Sequence, residues 1–137
     1  MSNFRWVTLL ITLAMLAALA AAQQPVGPAG ANSAPEARAL GYLHTVYIAE
    51  LNYKKKHNEF ARSLASLVGQ GSFTRRMASP DRGDYSARFS GNGTGFSLGM
   101  VPKTFDAEHR AFFVNETGTV RVETDKPATA QSAPLKK

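Results

Sequence analysis

The sequence predicts an α+β protein in which one long N-terminal amphipathic helix packs on a four-stranded antiparallel sheet. Two observations carry that expectation. Apolar residues recur at helical spacing from about Ala34 to Asn58, and from Tyr85 to Glu123 the spacing changes to two, with Gly- and Asn-rich turns between the runs. A third observation sets the domain apart. A charge-free apolar run and a Pro/Gly/Ala stretch precede it, and a Pro-, Ala- and Lys-containing tail follows it.

The helix start is marked by Ser33 followed three residues later by Glu36, the spacing of a capping box, with Pro35 in the first turn where its missing N–H costs nothing. Leu40, Leu43, Tyr47 and Leu51 form one apolar stripe, and Tyr42, Val46, Ala49 and Tyr53 a second. Arg38, Gly41, Thr45, Asn52 and Lys56 share the narrow polar face that remains. A helix apolar over most of its girth should be covered on more than one side. Lys54, Lys55 and Lys56 fall at its C-terminal end, where cations complement the helix dipole.

Phe60 to Leu67 reads as a short second helical turn capped by Ser63, with Leu64 and Leu67 tucked under the helix and Gly69 and Gly71 ending it. Ser72 to Gly83 reads as a polar loop. Tyr85, Ala87 and Phe89 then alternate with polar residues. Gly91 to Gly95 is a turn, Phe96, Leu98 and Met100 give a second strand, and Pro102 stops it. Arg110 to Val114 and Thr119 to Glu123 are the third and fourth strands, joined through Asn115 and Gly118.

The boundaries follow. Residues 1–22, with Arg5, the uncharged Trp6–Ala22 and a small-residue finish, have the pattern of a secretory signal peptide, with a retained membrane anchor as the alternative. Residues 23–33 are a flexible tether, 34–125 the folded domain and 126–137 an unstructured tail. This places the protein outside the cytoplasm, periplasmic or extracellular, with a membrane contact only where the apolar segment is retained. The chain has no Cys, which rules out disulfides and thiolate–metal sites, so packing must stabilise the domain. Its net charge of +6 is compatible with polyanionic partners.

Several segments together resemble the globular heads of type IV pilin-like and type II secretion pseudopilin-like proteins. They are Leu43, Thr45, Val46, Ala49, Glu50, Leu51 and Tyr53 on the helix, then Phe60, Ala61, Leu64 and Leu67, then Phe112, Phe113, Asn115, Gly118, Val120 and Arg121 near the end. The resemblance spans about Glu36 to Val122. It implies a pilin-like fold and an exported, non-enzymatic protein with a binding or accessory role in a cell-envelope assembly related to a pilus or secretion system. The prepilin cleavage motif is absent: Trp6–Ala22 lacks its Glu, and Pro25 and Pro28 interrupt any continuous helix into the domain. A pilin-like head behind an ordinary secretion signal is the implied arrangement.

No catalytic motif is present. His44, His57 and His109 lack metal-ligand spacing, and they read as a core-border residue, a helix-dipole partner and a loop residue. Asp81 and Asp84 supply too few oxygens for calcium and read as turn residues. The Gly91–Gly95 stretch lacks the Lys-Ser/Thr ending of a phosphate loop. Asn92-Gly-Thr94 and Asn115-Glu-Thr117 are formal glycosylation triplets that read as turns. No cofactor and no metal are expected. Two kinds of partner remain. One is an envelope protein pairing with an exposed strand edge. The other is DNA or another polyanion on the candidate anion-binding residues Lys54, Lys55, Lys56, Arg75 and Arg76.

Overall fold

The computed structural model describes residues 28–137; the signal or anchor segment 1–22 and residues 23–27 of the expected tether 23–33 lie outside the described residues. One α-helix, α1 (Ala34–His57), crosses a sheet of six antiparallel strands in sequential order: β1 (Asp81–Arg82), β2 (Tyr85–Gly91), β3 (Phe96–Pro102), β4 (Ala111–Asn115), β5 (Arg121–Glu123) and β6 (Ala133–Pro134). Two 3-10 turns, Leu64–Leu67 and Arg75–Ala78, link the helix to the sheet.

This corrects the expected architecture of a long N-terminal helix on a four-stranded sheet. The described molecule has one helix of 24 residues and a sheet-rich remainder of six strands. The four alternating segments all form strands, and two further strands flank them. Asp81–Arg82, inside the expected polar loop, turns through Gly83 and pairs with Ser86 and Tyr85. Ala133–Pro134, inside the expected unstructured tail, pairs with Val122 and Arg121. The tail is fixed by hydrogen bonds that carry no sequence period. Leu135 N–H donates to Val120 O at 2.8 Å, Arg121 Nη1 to Ser132 O at 2.7 Å, and Ser132 Oγ to Glu123 Oε1 at 2.8 Å. Leu135 also packs against the core.

Ser33 caps the helix start, but the expected capping box is not closed, because the Glu36 carboxylate accepts from Asn32 N–H and Arg110 instead of Ser33 N–H. Ser33 is extended and its Oγ accepts from Glu36 N–H at 3.2 Å. Asn58 takes the left-handed conformation (φ 60°) and its N–H returns to Lys54 O at 2.8 Å. Ser63 caps the first 3-10 turn through Ser66 N–H.

The core lies between α1 and the inner face of β2, β3 and β4. Val46, Leu67, Leu98, Met100 and Phe112 are fully enclosed there. Of the first apolar stripe, Leu40 and Leu43 are buried and Tyr47 is half-buried, but Leu51 is 39 % exposed, as is Ile48. One helix flank therefore faces solvent instead of being covered. Of the second stripe, Tyr42, Val46 and Ala49 are buried, against Phe73 and the 3-10 turns. Tyr47 reaches over the β4–β5 turn at Gly118, whose φ is 78° and where an added Cβ would stand 2.7 Å from Tyr47 Oη. Glycine is required there twice over, by conformation and by space.

An ion pair fixes the helix start to the sheet. Glu36 is fully buried, and it accepts from Arg110 Nε and Nη2 at 2.9 and 2.7 Å, from Arg110 N–H at 3.1 Å and from Asn32 N–H at 2.7 Å. Burial alone would raise its pKa, but the Arg110 and backbone hydrogen bonds outweigh that and hold the carboxyl below its usual range. Arg110 Nη2 also donates to Gly30 O at 2.7 Å, so the pair ties the incoming chain, α1 and β4 together.

Glu36→Ala leaves a largely buried guanidinium unpaired, and urea titration should show a loss of about 3–5 kcal/mol. Ser33→Ala removes the cap and the exposed hydrogen bond that Ser33 Oγ donates to Glu108 O, and should cost about 1–2 kcal/mol. Equal effects from the two variants would show that the pair does not anchor the fold.

Candidate functional site

Hydrogen bonding alternates along an antiparallel strand, so each residue of β2 aims its N–H and C=O either toward β3 or toward β1. Ala87 N–H donates outward, to Pro80 O at 2.8 Å, and Asn92 N–H donates inward, to Gly95 O at 3.2 Å. The odd residues of β2 therefore face the β1 side. β1 is only two residues long and covers Tyr85 and Ser86. Among the described residues, the strand beyond Ala87 runs from Arg88 to Ser90 without a neighbouring strand on that side. Among the described residues the N–H and C=O of Phe89 have no hydrogen-bond partner.

The uncovered stretch has defined limits. The Phe89 ring is half-buried and stacks with Phe96 at 6.3 Å between centroids. Arg88, on the outer face, is exposed. At the far end the 60–61 segment closes over Gly91: Phe60 N–H donates to Gly93 O at 2.8 Å, and an added Cβ at Gly91 would lie 2.1 Å from Ala61 O. The opposite sheet edge is blunter, since β6 is two residues long and one of them is Pro134.

Glu50 holds the segment that caps this edge. Its side chain is fully buried; Oε2 accepts from Ala61 N–H at 2.9 Å and, among the described residues, Oε1 has no partner. Burial pushes its pKa up to about 7, with the single Ala61 bond opposing. Near neutral pH the carboxyl is thus poised between an acid that fits its surroundings and a charge that does not. A signal for it exists in the sequence: Glu36, Leu43 and Glu50 recur every seven residues on one helix face, so both carboxylates sit on the buried stripe.

The candidate anion-binding residues are exposed but not assembled into one patch. Lys54, Lys55 and Lys56 stand at the end of α1, with Lys54 Nζ 4.4 Å over the Phe60 ring. Arg75 and Arg76 open the second 3-10 turn, which is docked near the middle of the helix by Tyr42 Oη donating to Met77 O at 2.8 Å. The twelve helical steps from Tyr42 to Lys54 measure about 18 Å along the axis. What gathers around Arg76 is Arg82, whose Nη1 donates to Arg76 O at 3.4 Å and whose guanidinium lies over the Tyr42 ring.

The histidines fall in unlike places. His44, expected at the core border, is exposed; it lines an apolar cavity of about 360 Å³ together with Leu40, Leu43, Tyr47, Val114 and Val120. His57 packs on Tyr53 at the helix end. His109, expected in a featureless loop, lies between two carboxylates, with Nδ1 2.7 Å from Asp106 and Nε2 3.6 Å from Asp84. Its hydrogen bond to Asp106 raises its pKa and lowers that of Asp106. With both ring nitrogens engaged by acids, it serves as a clasp between the β1–β2 turn and the 103–110 loop. Among the described residues no group of three His, Cys, Asp or Glu is placed to hold a metal ion, and no helix is long and apolar enough to cross a membrane.

No family model, curated protein or solved structure matches the chain.

The Glu50 geometry has a definite pH consequence. The unfolded chain releases this proton near pH 4.5 and the folded chain near 7, so between those values the folded form holds more protons. Stability should fall across that interval, by on the order of 3 kcal/mol, and then level off. Glu50→Gln should flatten the interval in denaturant titrations run at several pH values. An unchanged slope in the variant would remove Glu50 as the cause.

Proposed function

We propose that this is an exported, non-enzymatic binding protein that serves a cell-envelope assembly by accepting a strand of a partner protein on β2. The observation that carries the reading is the uncovered stretch Arg88–Ser90, where among the described residues the backbone groups of Phe89 lack partners, while the rest of the sheet is paired or ends in two-residue strands. An incoming strand would satisfy those groups, as in β-strand addition. Arg88, exposed beside them, favours a partner strand with an acidic side chain opposite and opposes self-pairing of identical edges. Export rests on the apolar segment at residues 6–22, and the envelope setting on the sequence resemblance to pilin-like heads.

Amide hydrogen exchange tests the edge directly. In the isolated protein the Phe89 amide should exchange much faster than those of Arg88 and Ser90, which the alternation directs at β3. Envelope extract should slow Phe89 selectively, and a photo-crosslinker at Arg88 should capture a discrete partner that one at Arg75 does not. A Phe89 amide already protected in isolation, or unchanged by the extract, would defeat the reading.

A further inference from the structure

The β2–β3 and β4–β5 turns lie side by side at one end of the sheet, and they share a local structure. Asn92 Oδ1 accepts from Thr94 N–H, Thr94 Oγ1 and Gly95 N–H at 3.1, 2.9 and 3.0 Å. Asn115 Oδ1 accepts from Thr117 N–H and Thr117 Oγ1 at 3.1 and 2.6 Å. Each Asn amide is therefore held in one orientation by its oxygen. Among the described residues both Nδ2 groups, two donors each, are left without partners.

Between these turns the outer face of the sheet forms a depression of about 320 Å³ lined by Ser90, Asn92, Ser97, Phe113, Asn115 and Glu116. That size is at the small end of ligand sites, roughly 300–1,000 Å³. Phe113 gives it an aromatic wall. Its neighbours Phe112 and Val114 point into the core, whereas Phe113 is on the solvent side and half-exposed. Its cross-strand partner is Gly99, where an added Cβ would meet nothing nearer than 4.0 Å, so no side chain crowds the ring from β3.

The chemistry of this lining selects a ligand class. A purely apolar molecule would strand the amides and the Ser90 and Ser97 hydroxyls. A polyanion would meet Glu116, the charged group among the described lining residues, while the nearest cations in the sheet, Arg88 and Arg121, stand in the Phe113 row outside the lining. A neutral sugar ring has what the site lacks: a C–H face for Phe113, hydroxyl oxygens for the Asn donors, and hydroxyl protons for Glu116 and the serines. We infer that this depression binds a neutral saccharide. The depression shares Ser90 with the open stretch of β2, but its lining does not include Phe89, whose backbone groups its test does not read.

Two-dimensional ¹H–¹⁵N spectra of the full chain would be titrated with N,N′-diacetylchitobiose, with maltose and with an oligodeoxythymidine. One of the disaccharides should give saturable shifts confined to residues 90–97 and 113–117. The oligonucleotide should give none there. Phe113→Ala should weaken binding about tenfold. Asn115→Asp keeps the turn acceptor but removes the donor, so it should weaken binding while the remaining spectrum stays native. Arg75→Ala, remote from the site, should change nothing. Absence of saturable shifts with both disaccharides, unchanged affinity in both Phe113→Ala and Asn115→Asp, or oligonucleotide shifts at these residues would overturn the proposal.

Discussion

The fold hangs on the contact between Glu36 and Arg110. A carboxylate in the first turn of α1 is sealed from solvent and answered by a guanidinium at the start of β4. Arg110 meets it with two side-chain donors and its own N–H, while Gly30 and Asn32 close the remaining positions. Two charges removed from water are tolerable only with such complete pairing. The pair sets where the helix crosses the sheet, and so which of its residues meet β3 and β4. Tyr85, whose hydroxyl donates to Arg110 O at 2.8 Å, extends the same network to β2, and burial pushes its pKa up.

Two buried carboxylates on one helix face thus have opposite characters. Glu36 has a donor for each oxygen and is comfortable ionised; Glu50 has one donor among the described residues and is more comfortable protonated. The pairing of each, more than its depth, decides this. The contrast has a spatial meaning. The Glu36 end of α1 is bound to the sheet by charge, whereas the Glu50 end is bound to the 60–61 segment, which in turn closes over the end of β2. The less secure clamp therefore lies beside the open strand edge.

The surface divides along similar lines. Cations lie scattered at the helix end and around the second 3-10 turn, with Lys54 and Arg82 resting on aromatic rings. Acids and bases near the β1–β2 turn neutralise one another, through Arg38 with Asp84, Lys103 with Asp81 and His109 with Asp106. Such exposed pairs add little stability, but they leave that end without a free field of one sign. The end bearing the Asn92 and Asn115 turns is polar, with the Glu59–Arg62 pair beside Gly93 and Glu116 beside Gly95.

The sequence by itself determined what depends on neighbouring residues. Ser33 and Ser63 mark caps that the structure contains, and the period of two from Tyr85 onward locates β2 to β5. Only the tertiary structure decided the remainder: the added strands at Asp81 and Ala133, the exposure of Leu51 and His44, the burial of Glu36 and Glu50, and the bare backbone of Phe89. The physical reason is that periodicity records which face of an element is apolar, whereas strand pairing uses backbone groups that nearly every residue possesses. A two-residue strand such as Ala133–Pro134 is too short to show a period, and it exists because Val120, Arg121 and Glu123 offer it partners across space.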